Sequence, residues 1–492
     1  MYLLAMDQGT TGTTVLVFNS QGRVVGRGYR EFPQMYPQPG WVEHDPETIW
    51  RVTLQVIREA LRHASVRATR LAAIGITNQR ETTALWDRRT GRPVANAIVW
   101  QCRRTAPMCD QLARQGLLPL VRRKTGLVLD AYFSGTKVRW LLDHVPGVRR
   151  RALRSELAFG TIDAWLLWKL TGGRVHATDF TNASRTLLFN IRTKRWDAEL
   201  CRRFGVPQTL LPAVQASSGL FGHTAHLEGL PSGIPITGIA GDQQASLFGH
   251  GCTQAGAAKN TYGTGCFLLL QLGNRWTSSR HGLITTLACG PHGEPTYALE
   301  GSVFIAGAAI QWLRDGLKII TRAAETERIA RSLRDTGGVY VVPAFVGPGA
   351  PYWDMQARGA IVGLTRGTTR AHLIRATLES LAYQTCDVVE AMEQDSGVRL
   401  HALRVDGGAV HNDWLMQFQA DLLGRTVVRP QLIESTAGGA ARLAGLAVNF
   451  WKGDGGGVID RTFHPRMPSR RRETLYAGWR EAVARVRSHA AA

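Results

Sequence analysis

Twice in this chain an apolar strand runs into a turn of glycine and threonine and leaves it as a second apolar strand. The first copy is Tyr2-Leu3-Leu4-Ala5-Met6, then Asp7-Gln8-Gly9-Thr10-Thr11-Gly12-Thr13-Thr14, then Val15-Leu16-Val17-Phe18. The second is Ala257-Ala258-Lys259-Asn260-Thr261-Tyr262, then Gly263-Thr264-Gly265, then Cys266-Phe267-Leu268. Short apolar runs separated by small turn residues read as β-hairpins. Two readings of each turn stand side by side. It is an ordinary hairpin that favours Gly and Thr, or its unobstructed backbone N–H groups converge on an anion. One such turn in each half points to two related domains, each offering a hairpin to a shared cleft.

The length supports that division, because 492 residues exceed what one hydrophobic core serves. The expected domains are residues 1–248 and 249–492, with the glycine-rich stretch Gly249-His250-Gly251 to Gly256 as the joint. Seven cysteines without a Cys-x-x-Cys pair argue against a disulfide framework and fit a reducing, cytoplasmic location. The first residues show no basic region followed by an apolar core, so no secretory leader is expected, and no apolar run reaches membrane-spanning length, so no membrane insertion is expected. The net charge of +21 invites a polyanion partner. Its basic runs, such as Arg149-Arg150-Arg151 and Arg470-Arg471-Arg472, are short and not interleaved with aromatics, so no specific nucleic acid is expected.

Along the chain, apolar strands repeatedly end in polar clusters, where α/β domains hold their ligands. Ala72-Ala73-Ile74-Gly75-Ile76 delivers Thr77-Asn78-Gln79-Arg80-Glu81, in which Arg80 and Glu81 are either a surface ion pair or binding groups. Ala97-Ile98-Val99-Trp100 ends in Gln101-Cys102-Arg103-Arg104, and Ile236-Thr237-Gly238-Ile239-Ala240-Gly241 ends at Asp242-Gln243-Gln244. Leu403-Arg404-Val405 ends at Asp406-Gly407-Gly408, followed by a helix from Asn412, an arrangement suited to phosphates or ribose. Asp45-Pro46-Glu47 caps a helix reaching about Ala64, and a long helix is expected over His372 to Met392. Trp165-Leu166-Leu167-Trp168 reads as an amphipathic helix with its tryptophans in the core.

Two longer patterns turn these pieces into a family resemblance. Phe133-Ser134-Gly135-Thr136-Lys137-Val138-Arg139-Trp140-Leu141-Leu142 is one; Gly359-Ala360-Ile361-Val362-Gly363-Leu364 with His372-Leu373-Ile374-Arg375-Ala376-Thr377-Leu378-Glu379 is the other. They resemble the FGGY carbohydrate kinases, whose fold is α/β: two ribonuclease-H-like, actin/hexokinase-like ATPase domains flanking a catalytic cleft. Gly75 to Thr83, Trp100 to Arg104, Pro39 to Pro46 and Gly241 to Gln244 are similar to the members that phosphorylate glycerol. The resemblance implies glycerol and ATP as substrates, Mg²⁺ as cofactor, and a homodimer or homotetramer. It implies that Arg80, Glu81, Tyr132, Asp242 and Gln243 hold the polyol hydroxyls, with Trp100 and Phe267 against its carbons. Asp242 would be the general base and Asp7 would lie by the metal. Thr10, Thr11, Gly12 and Thr264 would meet the ATP phosphates, and Gly307, Gln311, Gly408 and Asn412 the rest of the nucleotide. Alternatives are a family member acting on another small polyol or a ketose, and a non-catalytic actin-like nucleotide-binding protein.

Two departures stand out. Relatives follow the paired threonines with two serines and an arginine, whereas this chain has Gly12, Thr13 and Thr14. The segment Leu227-Glu228-Gly229-Leu230-Pro231-Ser232-Gly233 is unlike the arginine-bearing glycine loop of members inhibited by fructose 1,6-bisphosphate, so that inhibition is expected to be absent.

Overall fold

The computed structural model describes residues 1–354, 356–431, 434–451 and 458–488. Each half is built on one sheet, and the two sheets share a strand order. In the first, Val24–Glu31, Gly12–Phe18 and Tyr2–Gln8 run antiparallel, and Tyr2–Gln8 then pairs in parallel with Leu71–Asn78, which pairs with Pro235–Gly241. In the second, Pro295–Val303, Cys266–Gly273 and Ala257–Tyr262 run antiparallel, and Ala257–Tyr262 continues in parallel to Ala402–Asp406 and Thr426–Pro430. Each expected hairpin is therefore the start of its sheet. Because a parallel neighbour follows, every strand leading to the cleft ends on the same edge.

Local chemistry accounts for the element boundaries. Asp45 caps the helix Pro46–His63, its carboxylate accepting from Glu47 N and Thr48 N at 3.1 Å. That helix buries Ile49, Val52, Val56, Ile57 and Ala60 on the first sheet. Gly28 lets it come close: a Cβ there would lie 2.6 Å from Val56 O. The long helix runs over Arg370–Ser396 and buries Ile374, Leu378, Leu381 and Val388 in the second core. Trp165 and Trp168 are core residues, as expected. Their helix, Ile162–Leu170, is not amphipathic, because other elements cover it on all sides and eight of its residues are buried. All seven cysteines are buried free thiols, and burial pushes Cys252 up to about 12. No described helix is long and apolar enough to cross a membrane.

Two short helices bind the halves together by exchange. The helix Asp242–Gly249, which follows the last long strand of the first sheet, packs Leu247 on Leu269, Ala288 and Ala298 of the second sheet. The helix Ser435–Ala447, from late in the chain, packs Ala437, Ala440, Ala441 and Ala444 on the first sheet. They cross backbone to backbone. A Cβ on Gly249 would lie 2.3 Å from Ser435 O, and one on Gly439 would lie 1.8 Å from Ala245 O.

Candidate active site

Each glycine–threonine turn follows a strand that has a parallel neighbour, Tyr2–Gln8 beside Leu71–Asn78 and Ala257–Tyr262 beside Ala402–Asp406. In the first, Gly9 N donates to Gly12 O at 3.0 Å, leaving Thr11 exposed and Thr10 half-buried. In the second, Gly263 N donates to Gly265 O at 2.9 Å, and Thr264 is exposed. The N-terminus of the helix Gly307–Gln311 docks onto that turn: Gly307 N donates to Gly263 O at 3.0 Å and Ala308 N to Thr264 O at 3.0 Å. A Cβ on Gly307 would lie 2.5 Å from Gly263 O, so only glycine allows this seating. Gln311 ends the helix, exposed. Gly407 adopts φ +92° and presses against Tyr262, which leaves Gly408 exposed, with nothing within 4 Å of an added Cβ. Asn412 caps the helix Asp413–Leu423 through Leu415 N at 2.9 Å, and its Nδ2 donates to Thr326 Oγ1 at 3.2 Å.

Arg80 and Glu81 are not a surface pair. Both are buried, and they belong to a five-membered charge cluster whose other members are Asp242, Arg185 and Glu300. Arg80 Nε lies 3.1 Å from Asp242 Oδ1 in an ion pair, and Arg80 Nη1 donates to Glu300 Oε2 at 2.5 Å. Arg185 Nε donates to Glu81 Oε1 at 2.5 Å and its Nη2 to Glu300 Oε1 at 2.9 Å. Burial raises the Glu81 carboxyl while Arg185 and Arg80 pull it down, and the net direction is upward. Glu81 adopts φ +61°, a left-handed conformation that a non-glycine residue holds only when its surroundings enforce it. Here Ser134 Oγ and Lys137 Nζ donate to Glu81 O at 3.0 and 3.3 Å. Lys137 also donates to Tyr132 O, and burial lowers its own value to about 7. The Ser134-Gly135-Thr136-Lys137 motif is thus a strut for Glu81 and Tyr132.

The apolar wall forms on the same side. Trp100 and Tyr132 meet edge to face with centroids 5.6 Å apart, and Arg80 Nη2 lies 3.5 Å from Tyr132 Oη. Trp100 Nε1 donates to Thr10 Oγ1 at 2.9 Å, which joins this wall to the first turn. Gln243 Oε1 accepts from buried Lys259, whose Nζ also reaches Thr261 Oγ1 at 2.7 Å. Phe267 lies half-buried on the second sheet, paired in register with Thr261. Burial lowers Lys259 to about 8, against the pull of Asp406 and Asp242. Asp7 is half-buried, and its value rises to about 7, chiefly by burial and then by the charges of Asp242 and Glu434.

No local sequence pattern marks Glu300, Arg185 or Lys259 as residues of this site. Lys259 lies inside the second hairpin motif, so its position was visible and its role was not. Glu300 and Arg185 carry no local signal: each is a lone charge in an ordinary stretch, and Arg80 and Glu300 are 220 residues apart.

The model of the FGGY family of carbohydrate kinases, N-terminal domain, matches residues 2–249, and that of the C-terminal domain matches residues 258–448. The chain is 60% identical to a glycerol kinase of Symbiobacterium thermophilum, covering 100% of this chain and 99% of that one. It is 58% identical to glycerol kinase 2 of Thermotoga maritima, over 98% of each chain. Among solved structures, Plasmodium falciparum glycerol kinase with ADP superposes with a TM-score of 0.94 at 36% identity, covering 99% of both chains. A ligand-bound xylulose kinase of Lactobacillus acidophilus has a TM-score of 0.87 at 21% identity, over 98% of both chains, and shares the fold. With family models matching residues 2–249 and 258–448, and a relative 60% identical along the whole chain, the chain belongs to the FGGY family of carbohydrate kinases.

Proposed function

We propose that the chain transfers the γ-phosphoryl group of ATP to a terminal hydroxyl of glycerol, giving sn-glycerol 3-phosphate and ADP. The observation that carries this reading is the state of Asp242. Its Oδ1 is engaged twice, by Arg80 Nε at 3.1 Å and by Gln243 N at 2.7 Å. Oδ2 is left as the oxygen that takes the proton of the attacking hydroxyl. The side chain is 30% exposed, in contrast to the buried charges around it, so a substrate can reach it. Phosphoryl transfer needs alignment and charge neutralisation more than covalent help from the protein. Arg80, Glu81 and Gln243 supply donors and acceptors for a small polyol, and Trp100 with Tyr132 supplies an apolar side. Thr10 and Thr11 on one turn and Thr264 on the other bracket the phosphates.

Mg²⁺ fits as an ion that arrives with the nucleotide. Among the described residues no group of three or more His, Cys, Asp or Glu converges on a metal site. The Asp7 carboxylate accepts no hydrogen bond from a described residue, and Asp242 is close enough to raise it. One or two carboxylates with phosphate oxygens and waters suit Mg²⁺, which would neutralise the charge on the transferring group. Proton and cation then compete for Asp7. Because its value is raised to about 7, the carboxylate is mostly free at pH 8 and mostly protonated at pH 6. The Mg²⁺ concentration for half-maximal rate, corrected for Mg²⁺ held by free ATP, is expected to rise about tenfold from pH 8 to pH 6. A requirement that stays flat across this range removes Asp7 from the metal's surroundings.

The substrate assignment is tested by coupled ADP release with glycerol, erythritol, ribulose and xylulose. Glycerol is expected to give the highest kcat/KM. Turnover of a ketose with none of glycerol would move the chain to another branch of the family.

A further inference from the structure

We propose that Glu300 is a positioning residue for the polyol site: from the second sheet it fixes the Arg80 guanidinium, and through it Asp242, so glycerol binding depends on how the two halves are seated. This role presupposes glycerol phosphorylation at the site, as inferred above. Glu300 lies in the strand Pro295–Val303, in register with Leu269 on one side and Ile284 on the other. It is fully buried, and its strand otherwise packs apolar residues such as Leu299 and Val303 into the second core. From its own half, buried Lys259 acts on it by charge, without an ion-pair contact. Both of its partners come from the first half.

The geometry is that of a fork. Glu300 Oε2 accepts from Arg80 Nη1 at 2.5 Å, and Oε1 accepts from Arg80 Nη2 at 3.3 Å and from Arg185 Nη2 at 2.9 Å. A guanidinium is planar, so pinning both terminal nitrogens also sets the direction of Nε. That Nε faces Asp242 Oδ1 in an ion pair at 3.1 Å. Arg185 extends the same anchor to Glu81. Burial would raise the Glu300 carboxyl, but Arg185 and Arg80 outweigh it and hold it at about 2, so the anchor stays charged at any working pH. A long arginine without this fork has several ways to satisfy itself on Glu81 or Asp242, and most of them withdraw a group that the polyol needs.

The test is Glu300→Gln, which keeps the size and removes the charge and one acceptor, with Glu300→Asp beside it. For the wild-type chain, glycerol turnover comes first; its absence would sink the functional reading and not this role. With a wild type active on glycerol, E300Q is expected to raise the glycerol KM about tenfold or more and lower kcat about tenfold, with the ATP KM within about twofold. E300D keeps the charge and is expected to recover part of both losses. ADP affinity by calorimetry reports whether the halves are still seated. Unchanged glycerol parameters in E300Q overturn the role. So does an equal loss of ADP and glycerol affinity, because Glu300 would then only neutralise buried arginines. If E300Q is not recovered folded, E300D decides alone: a raised glycerol KM with unchanged ATP KM supports the role, and wild-type values overturn it.

Discussion

Replacing Asp242 with asparagine is expected to lower kcat by about 10²–10⁴-fold while the glycerol KM changes far less. The size follows from what the amide keeps and what it loses. The amide oxygen can still accept from Gln243 N, as Asp242 does at 2.7 Å, and can still lie against Arg80 Nε, which Asp242 meets in an ion pair at 3.1 Å, so the site's architecture survives. What disappears is an oxygen able to take a proton as the phosphorus–oxygen bond forms. The carboxylate also orients the nucleophile, and alignment is the larger part of phosphoryl-transfer catalysis, which places the expected loss toward the upper end. The measurement is a coupled ADP-release assay at saturating glycerol and ATP, with glycerol affinity taken from quenching of tryptophan fluorescence. An asparagine variant within about tenfold of the wild-type kcat would remove Asp242 from the base role.

The second large effect concerns the crossing of the two exchanged helices. Gly439→Ala places a Cβ 1.8 Å from Ala245 O, well inside any tolerable contact. The obstacle is backbone rather than the end of a flexible side chain, so relief requires that a helix move. Neither helix is free to do so. Asp242–Gly249 lies on the second sheet through Leu247, and Ser435–Ala447 lies on the first through Ala437, Ala440 and Ala441. Overpacking a well-filled interior costs about 1–3 kcal/mol, and a backbone-to-backbone clash belongs at or above the top of that range. About 3 kcal/mol lowers the Tm of a domain of this size by roughly 6–12 °C, read by calorimetry or circular dichroism. Because Asp242 opens one of the two helices, catalysis is expected to fall along with stability. A variant that melts at the wild-type temperature would show that the crossing is looser than its geometry.

Much of this was open to a reading of the chain as text. The hairpin turns at Gly9–Gly12 and Gly263–Gly265 announce themselves because turn preference is a local property of a few residues. The Asp45 cap, the long helix after Thr369 and the strands that end at Asp7, Asp242 and Asp406 are local in the same sense. Arg80, Glu81 and Asp242 stood out because a charge at the end of an apolar strand is unusual within a window of a few residues. The same window misjudged Ile162–Leu170, where two tryptophans and the leucines between and after them look like one face of a helix. Only the elements packed around it reveal that every face is covered.

By itself, then, the sequence determined two halves of one kind, their opening hairpins, and the polar groups each strand carries to the cleft edge. It did so because backbone preferences and hydrophobic periodicity act over a few neighbouring residues. Tertiary structure alone decided which charges meet. Glu300 finds Arg80 across 220 positions, Lys259 finds Gln243 from the other sheet, and two small-residue helices trade sheets at a glycine crossing. A lone buried charge has no local partner to reveal it, and alanine- and glycine-rich helices carry no mark of the sheet they will cover. Their partners are set by the close packing of the two halves, where an unpaired charge is too costly to leave and only glycine lets two backbones touch.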